Sequence, residues 1–329
     1  MTDPAGTLRQ IAFQLERAGA PTYRVRSFRK AAGTLDTLSA AELRAHVDNG
    51  TLQSIPGIGK TISQVIRQVF AGETPDYLRD VLAGAAPPAA TRTRTLLRGD
   101  CHTHSDWSDG GSPPLEMAEA ARQLGHEWVA LTDHSPRLTV ANGLSPERLQ
   151  TQLNLLDKIN DRLAPFRMLR GIEVDILEDG GLDQRNDLLD RLDIVVASVH
   201  SKLRMPRAEM TARMLRAVRN KHTTILGHCT GRRILGRPRP ESEFDAEKVF
   251  TACRENDVAV EINCRPDRMD PPDPLLRLAI ELGCRFSIDS DAHAPGQLDW
   301  LDNGCARADD LDIPADRIIN TRTAGQLLT

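Results

Sequence analysis

Two histidines stand two apart in the stretch DCHTHSDWSDG, residues 100–110, at the end of an apolar run. In a strand, residues i and i+2 face the same side, so His102 and His104 can approach one ion together. Taken alone, such a pair is more often a surface or hydrogen-bonded one. The remaining apolar runs strengthen the metal reading, because they stop at residues of the same kind. Asp133 and His134 follow EWVALT, Glu173 and Asp175 close FRMLRGIEVDI, His200 follows DIVVASV and His228 follows TTILG. Glu261 and Asn263 end VAVEIN, and Asp289, Asp291 and His293 end RFSIDSDAH. Six of the nine histidines of the chain lie at these run ends. A solvated rim carries mixed polar residues, whereas His, Asp and Glu are the nitrogen and oxygen donors that Zn2+, Mn2+ or Fe2+ favour. Clustered divalent ions suit phosphoester hydrolysis, since they turn a bridging water into a hydroxide nucleophile and stabilise the departing oxygen. The stretch PGIGKT lacks the four-residue spacing between the glycines of a P-loop, so no nucleotide cofactor is expected.

The elements that must position these residues follow from the same pattern. Between the apolar runs lie helical stretches at 114–125, 145–163, 207–219, 244–256 and 273–283. Strands alternating with helices predict a parallel sheet with crossover helices. With a first run at 96–104 there are seven strands, each apolar through its body, as strands buried on both faces are. Seven units in about 230 residues predict a closed barrel, with the C-terminal strand ends on the rim where barrel enzymes build their sites. Residues 1–83 read differently. Leu8, Ile11, Ala12 and Leu15, and Ile62, Val65, Ile66, Val69 and Phe70, recur at helical spacing, which predicts a small all-α domain of four short helices. The Ala-, Pro- and Thr-rich stretch 84–97 reads as a linker, and the barrel domain occupies 98–329.

With 40% hydrophobic and 27% charged residues, the composition is that of an ordinary globular protein. No apolar stretch approaches the roughly 18 residues that span a bilayer, and the N-terminus has no signal-peptide pattern. The six cysteines form no C-x-x-C pair, which points to reduced thiols and a cytoplasmic location. Net charge is −4, unevenly spread: residues 1–98 carry 13 Lys/Arg against 8 Asp/Glu, and the rest 29 against 38. An acidic half suits bound cations; a basic N-terminal part suits a polyanion, although five charges also fit surface variation.

Taken together, HTHSDWSDG, LTDHS, GIEVDI, SVHSK, GHCTGR, EINCRPDRMD and SIDSDAH resemble the motif series of PHP-domain (polymerase and histidinol phosphatase) phosphoesterases over residues 97–329. The resemblance implies a distorted seven-stranded (β/α)7 barrel holding three divalent ions. His102, His104, Glu173 and Asp291 would hold one ion. Glu173, His200 and His228 would hold the second, with Glu173 bridging, and Asp109, His134 and His293 the third. Catalysis would centre on Glu173, His102, His104, Asp291 and His200. Asp109 stands where some family phosphatases carry His, a feature of the PHP domains of bacterial family X polymerases. The family usually has Pro after the histidine of GHCTGR, where this chain has Cys229, either a small packing residue or an additional ligand. Lys202, Arg232, Arg265 and Arg268 follow strand ends and can receive phosphate oxygens, or are solvated loop charges. Asp133 is expected to orient neighbours, Cys101 and Cys264 to pack, and His46, His126 and His222 to be structural or at the surface.

In LQSIPGIGKTISQVI, residues 52–66, Gly57 and Gly59 allow a tight turn. Amides at the start of the next helix, with Lys60, can then face an anion; an ordinary glycine turn is the alternative. With YRVRSFRKAAGTL at 23–35, this stretch resembles the helix–hairpin–helix domain that begins family X DNA polymerases, over roughly residues 5–85. The resemblance implies contact with the DNA backbone, assisted by part of the cluster Arg24, Arg26, Arg29 and Lys30. Relatives with lyase activity carry a lysine nine residues after the motif proline. Here that position is Val65, so no sugar-phosphate lyase is expected, and the short linker leaves no place for a polymerase core. The expected activity is therefore a trinuclear-metal-dependent phosphoesterase acting on DNA, as a 3′–5′ exonuclease or 3′-phosphatase. A phosphatase of a small phosphomonoester such as histidinol phosphate is the alternative, and a DNA-binding module with a structural metal site is the third.

Overall fold

In a computed structural model, which describes residues 3–84 and 91–328, the chain divides into two compact units, Met1–Pro88 and Ala89–Thr329. The first unit holds helices α1 (Pro4–Arg17), α2 (Thr22–Asp36), α3 (Ala40–Asp48), α4 (Lys60–Phe70) and α5 (Asp76–Ala83). Five helices stand where periodicity predicted four. Asp3 caps α1, which starts with Pro4 at its first position, and Ser39 and Glu42 form a capping box on α3, so helix starts are written locally. Leu8, Ile11, Phe28, Val65, Ile66 and Leu78 meet in one core. The turn before α4 places Gly57 at φ +86°, a conformation that side-chain-bearing residues seldom adopt.

The second unit runs α6 (Arg92–Leu96), β1 (Gly99–Thr103), α7 (Pro114–Gln123), β2 (Trp128–Leu131), α8 (Pro146–Leu163), β3 (Arg167–Asp175), α9 (Asn186–Leu189), β4 (Ile194–Ser198), α10 (Arg207–Val218), β5 (Ile225–Leu226), α11 (Ala246–Glu255), β6 (Ala259–Asn263), α12 (Asp273–Glu281), β7 (Phe286–Asp289), α13 (Leu301–Asp310) and α14 (Ala324–Leu327). The seven strands lie in sequence order, each parallel to the next. Part of the linker expected over 84–97 lies outside the described residues. Its remainder is not an open spacer: it contains α6, fastened to α13 by Thr93 on Asp309 and by Arg94 Nε on Asp302, 3.1 Å away. The run expected to begin β1 at 96 is therefore partly helical.

The sheet curls until β1 and β7 meet. Thr103 and Ala292 form a parallel bridge, and the His104 amide donates to the Ala292 carbonyl at 2.8 Å. Further down that seam side chains replace the backbone ladder: the Cys101 amide donates to Asp289 Oδ1, and the Ser290 hydroxyl donates to Asp100. The result is a nearly closed barrel with helices around it. Cys101, Trp128, Leu169, Ile194, Val196 and Ile225 fill its apolar end. Gly99 has no side chain because a Cβ would lie 2.2 Å from the Trp128 ring. Outside, α8 starts on the Ser145 cap and buries Leu149, Leu153, Leu156, Ile159 and Leu163 at helical spacing. Burial of each such side chain contributes about 1.5–3 kcal/mol, so the scaffold under the rim is rigid. Among the described residues no helix is long and apolar enough to cross a membrane.

Candidate metal centre

Glu173, on β3, is buried at the middle of the polar end of the barrel. Its carboxylate oxygens lie 3.3 Å from His102 Nε2, 3.6 Å from His104 Nε2, 2.8 Å from His134 Nδ1, 3.3 Å from His200 Nε2 and 2.9 Å from His228 Nε2. Those histidines come from β1 and the segments after β1, β2, β4 and β5. Asp291 Oδ1 is 3.4 Å from His104 Nε2. At the mouth, Asp109 Oδ1 is 3.5 Å from His134 Nε2 and 3.2 Å from His293 Nε2. All nine expected ligand positions are thus brought together.

Their grouping partly differs from the implied one. Donor atoms within 4.8 Å of one another form three sets: His102, His104 and Glu173; His134, Glu173 and His200; and His104, Asp109, His134 and His293. His134 and His104 each belong to two sets, and His228 meets Glu173 without joining a set. His102 Nε2, both ring nitrogens of His104, His134 Nδ1 and Glu173 Oε2 are buried without an aligned hydrogen bond. Unsatisfied buried polar atoms cost free energy, and inward-facing imidazole nitrogens around a carboxylate fit divalent cations.

The electrostatics of the residues follow from the same packing. Burial disfavours the charge on Glu173, but His200, His102 and His134 outweigh it and hold the carboxyl well below its usual range. Burial also disfavours an imidazolium at His200, yet Glu173 and Asp175 raise that group to about 9. At His228 burial wins, reinforced by Arg268, and brings it down to about 4; at His104 burial and the neighbouring His293 and His134 push it well below its ordinary value.

Behind the inner face stand carboxylates whose roles were not evident from sequence. Glu261 receives His102 Nδ1 at 2.6 Å and the main-chain amide of His228. Asp175 receives His200 Nδ1. Carboxylates on the outer nitrogen orient an imidazole and fix its tautomer; their position at strand ends was the available signal. Asp133 binds the Ser105 amide and hydroxyl, Ser108 and Gln152, which makes it an organiser of the loop after β1. Cys229 is buried in the core beside Asp270 and belongs to none of the three donor sets.

A cavity of about 370 Å³ opens over the centre. Of the expected substrate contacts, Arg265 and Arg268 line it, whereas Lys202 and Arg232 do not. Arg232 spends its guanidinium on the carbonyls of Arg268 and Met269 and on Glu241, and Lys202 is exposed. Arg233 and Arg239 take their places on the wall.

Residues 100–265 match the PHP domain family. The chain belongs to the PHP family. It is a metal-dependent phosphoester hydrolase with an N-terminal helical domain, residues 2–74 of which match the helix-hairpin-helix domain family. The DNA polymerase/3′-5′ exonuclease PolX of Bacillus subtilis is 42% identical over 212 residues, which are 64% of this chain and 37% of that relative. The chain thus spans well under half the length of this PHP relative. A protein named "Probable phosphatase" from Acetivibrio thermocellus is 29% identical over 231 residues, 68% of this chain and 90% of that one. A crystal structure of histidinol phosphate phosphatase from Lactococcus lactis, with zinc, L-histidinol and phosphate, superposes with a TM-score of 0.46 at 22% identity, over 64% of this chain and 91% of that chain.

In the helical unit of this PHP protein, a groove of about 700 Å³ is lined by Gly57, Gly59 and Lys60 together with Tyr23, Arg24 and Tyr77. No side chain caps α4. Within the basic cluster, Arg29 is held by Glu16 in a two-bonded ion pair and Arg24 by the Tyr77 hydroxyl, while Arg26 and Lys30 are exposed.

Proposed function

We propose that this PHP protein hydrolyses phosphoester bonds at DNA ends, releasing 3′ nucleotides or 3′ phosphate, with three divalent ions held by the nine residues His102, His104, Asp109, His134, Glu173, His200, His228, Asp291 and His293. One observation carries the reading: a buried Glu173 ringed by five imidazoles and a groove lined by Gly57, Gly59 and Lys60 occur in one chain. The similarity to a polymerase/exonuclease supports the choice of DNA.

Bound divalent ions supply Lewis acidity, lowering the pKa of water and neutralising charge on the phosphoryl oxygens. Glu173 offers two oxygens to neighbouring donor sets and keeps its negative charge. Glu261 and Asp175 hold His102 and His200 with their Nε2 atoms facing inward. Arg265 and Arg268 present guanidinium donors to the phosphate. The open turn at Gly57 and the uncapped start of α4 offer main-chain amides to DNA phosphates without reading bases.

A small phosphomonoester is the second reading. A cavity of about 370 Å³ is within the range of small-molecule sites, and the relative from Acetivibrio thermocellus is a phosphatase by name. The full chain with Mn2+, offered a 3′-labelled oligonucleotide and histidinol phosphate side by side, decides between them. The expected result is a higher kcat/KM on the oligonucleotide. Turnover of histidinol phosphate with an intact oligonucleotide would overturn the DNA reading.

A further inference from the structure

The wall of the cavity carries more positive charge than one phosphate requires. Arg233 and Arg239 face each other across a short hairpin through paired main-chain bonds of 2.9 Å, and both line the cavity with Arg265 and Arg268. The hairpin is tied to the opposite loop by the Ile234 amide on the Asp267 carbonyl at 2.8 Å. Two carboxylates form ion pairs with three of these four guanidinium groups, and Asp270 acts on Arg239 from further away. Asp267 takes Arg233 at 2.7 Å and Arg265 at 3.2 Å, and Asp291 lies 3.5 Å from both Arg265 and Arg268. Asp291 is itself one of the nine ligand positions, so its charge is shared with the ions.

Among the described residues the Arg239 side chain has one hydrogen-bond partner, the Gly231 carbonyl, 2.7 Å from its Nε. Arg268 Nε and one terminal nitrogen are buried without an aligned hydrogen bond. The charges crowd one another: burial, then Arg268 and Arg233, lower the pKa of Arg239, outweighing the opposing pull of Asp270 and Asp267. Such a cluster is stable when an anion lies among its members, and arginine's fork suits phosphate. Arg265 and Arg268 reach a ligand residue, whereas no ion pair joins Arg233 or Arg239 to any of the nine.

We infer that Arg239, with Arg233 and Arg268, forms a second anion subsite beside the metal centre, which takes the phosphate flanking the one under attack in a nucleic-acid strand. Its strand specificity rests on the DNA reading above; its anion binding does not.

The test is calorimetric binding to the full chain loaded with Mn2+, using phosphorothioates, which resist hydrolysis. Thymidine carrying phosphorothioates at both 3′ and 5′ is compared with thymidine 5′-phosphorothioate, and propane-1,3-bisphosphonate serves as a bis-anion without a nucleoside. The wild type should bind the bis-phosphorothioate nucleoside roughly 10-fold more tightly than the single one, as for an added charge-assisted contact. Arg239→Gln and Arg233→Gln should each reduce that ratio towards one, and Arg239→Lys should retain part of it. A wild-type ratio near one, or a ratio unchanged in both Gln variants, overturns the subsite. An equal gain with propane-1,3-bisphosphonate overturns strand specificity and leaves a general anion site. If oligonucleotides prove inert while the ratio behaves as expected, the DNA reading falls and the subsite stands.

Discussion

Glu261 joins two histidines that face Glu173 through one carboxylate: Oε1 lies 2.6 Å from His102 Nδ1, and Oε2 accepts the His228 main-chain amide. A carboxylate only accepts, so Nδ1 carries the proton and Nε2 of His102 is left to face Glu173. Glu261→Gln keeps the shape and removes the charge. Metal affinity should fall about 10- to 100-fold, the usual effect of losing such a partner. Competition with a chelating dye measures it, and unchanged affinity would show Glu261 to be a packing residue.

Glu173→Ala should remove both activity and metal. It deletes the oxygens within 2.8–3.6 Å of five histidines and removes the one carboxylate that all five share. Elemental analysis after gel filtration checks the result. Wild-type metal content in the variant would show that Glu173 is not shared between the ions.

His126 supplies a pH signature away from the centre. It is buried, and among the described residues neither ring nitrogen has a hydrogen-bond partner. Burial, helped by Arg94, lowers its pKa to about 3, whereas an unfolded histidine titrates near 6.5. Between these values the unfolded chain holds more protons. The stability that neutral His126 contributes is present above pH 6.5 and is lost as pH falls towards 3, by up to about 1.4 kcal/mol per unit. His126→Phe should flatten the dependence of unfolding free energy on pH between 6.5 and 4. Urea melts of both proteins in chelator measure the difference, and parallel curves contradict it.

Gly57→Val places a β-branched residue at φ +86°, a backbone strain of order 1–3 kcal/mol, and distorts the turn into α4. DNA affinity, expected at about 10⁻⁴–10⁻⁶ M near physiological salt and falling steeply with salt, should weaken further. Fluorescence anisotropy across a salt series checks this, with circular dichroism as a folding control. An unchanged salt slope and affinity would remove the turn from the DNA interface.

The candidate donors, the seven-strand alternation and the family were legible in sequence because each is written locally. Apolar runs ending in His, Asp or Glu declare strand ends, and periodicity with caps declares helices. Tertiary structure decided which of these side chains come within reach of one another. His102 and His104 do converge, with ring centroids 5.1 Å apart, but strand alternation alone is not the reason. The register of β1 shifts between Asp100 and Thr103, and His104 lies beyond the strand, held by the Ala292 carbonyl where the barrel closes. His134 stands between two donor sets for the same reason: closure, not spacing, sets distances between strands. Arg232 and Arg233 are adjacent and chemically equivalent in the sequence. One packs against the carbonyls of Arg268 and Met269, and the other faces the cavity, because a hairpin pairing Arg233 with Arg239 turns successive side chains to opposite sides. Residue type and period are carried by neighbours along the chain; the partner of a side chain is decided by surfaces that meet only after folding.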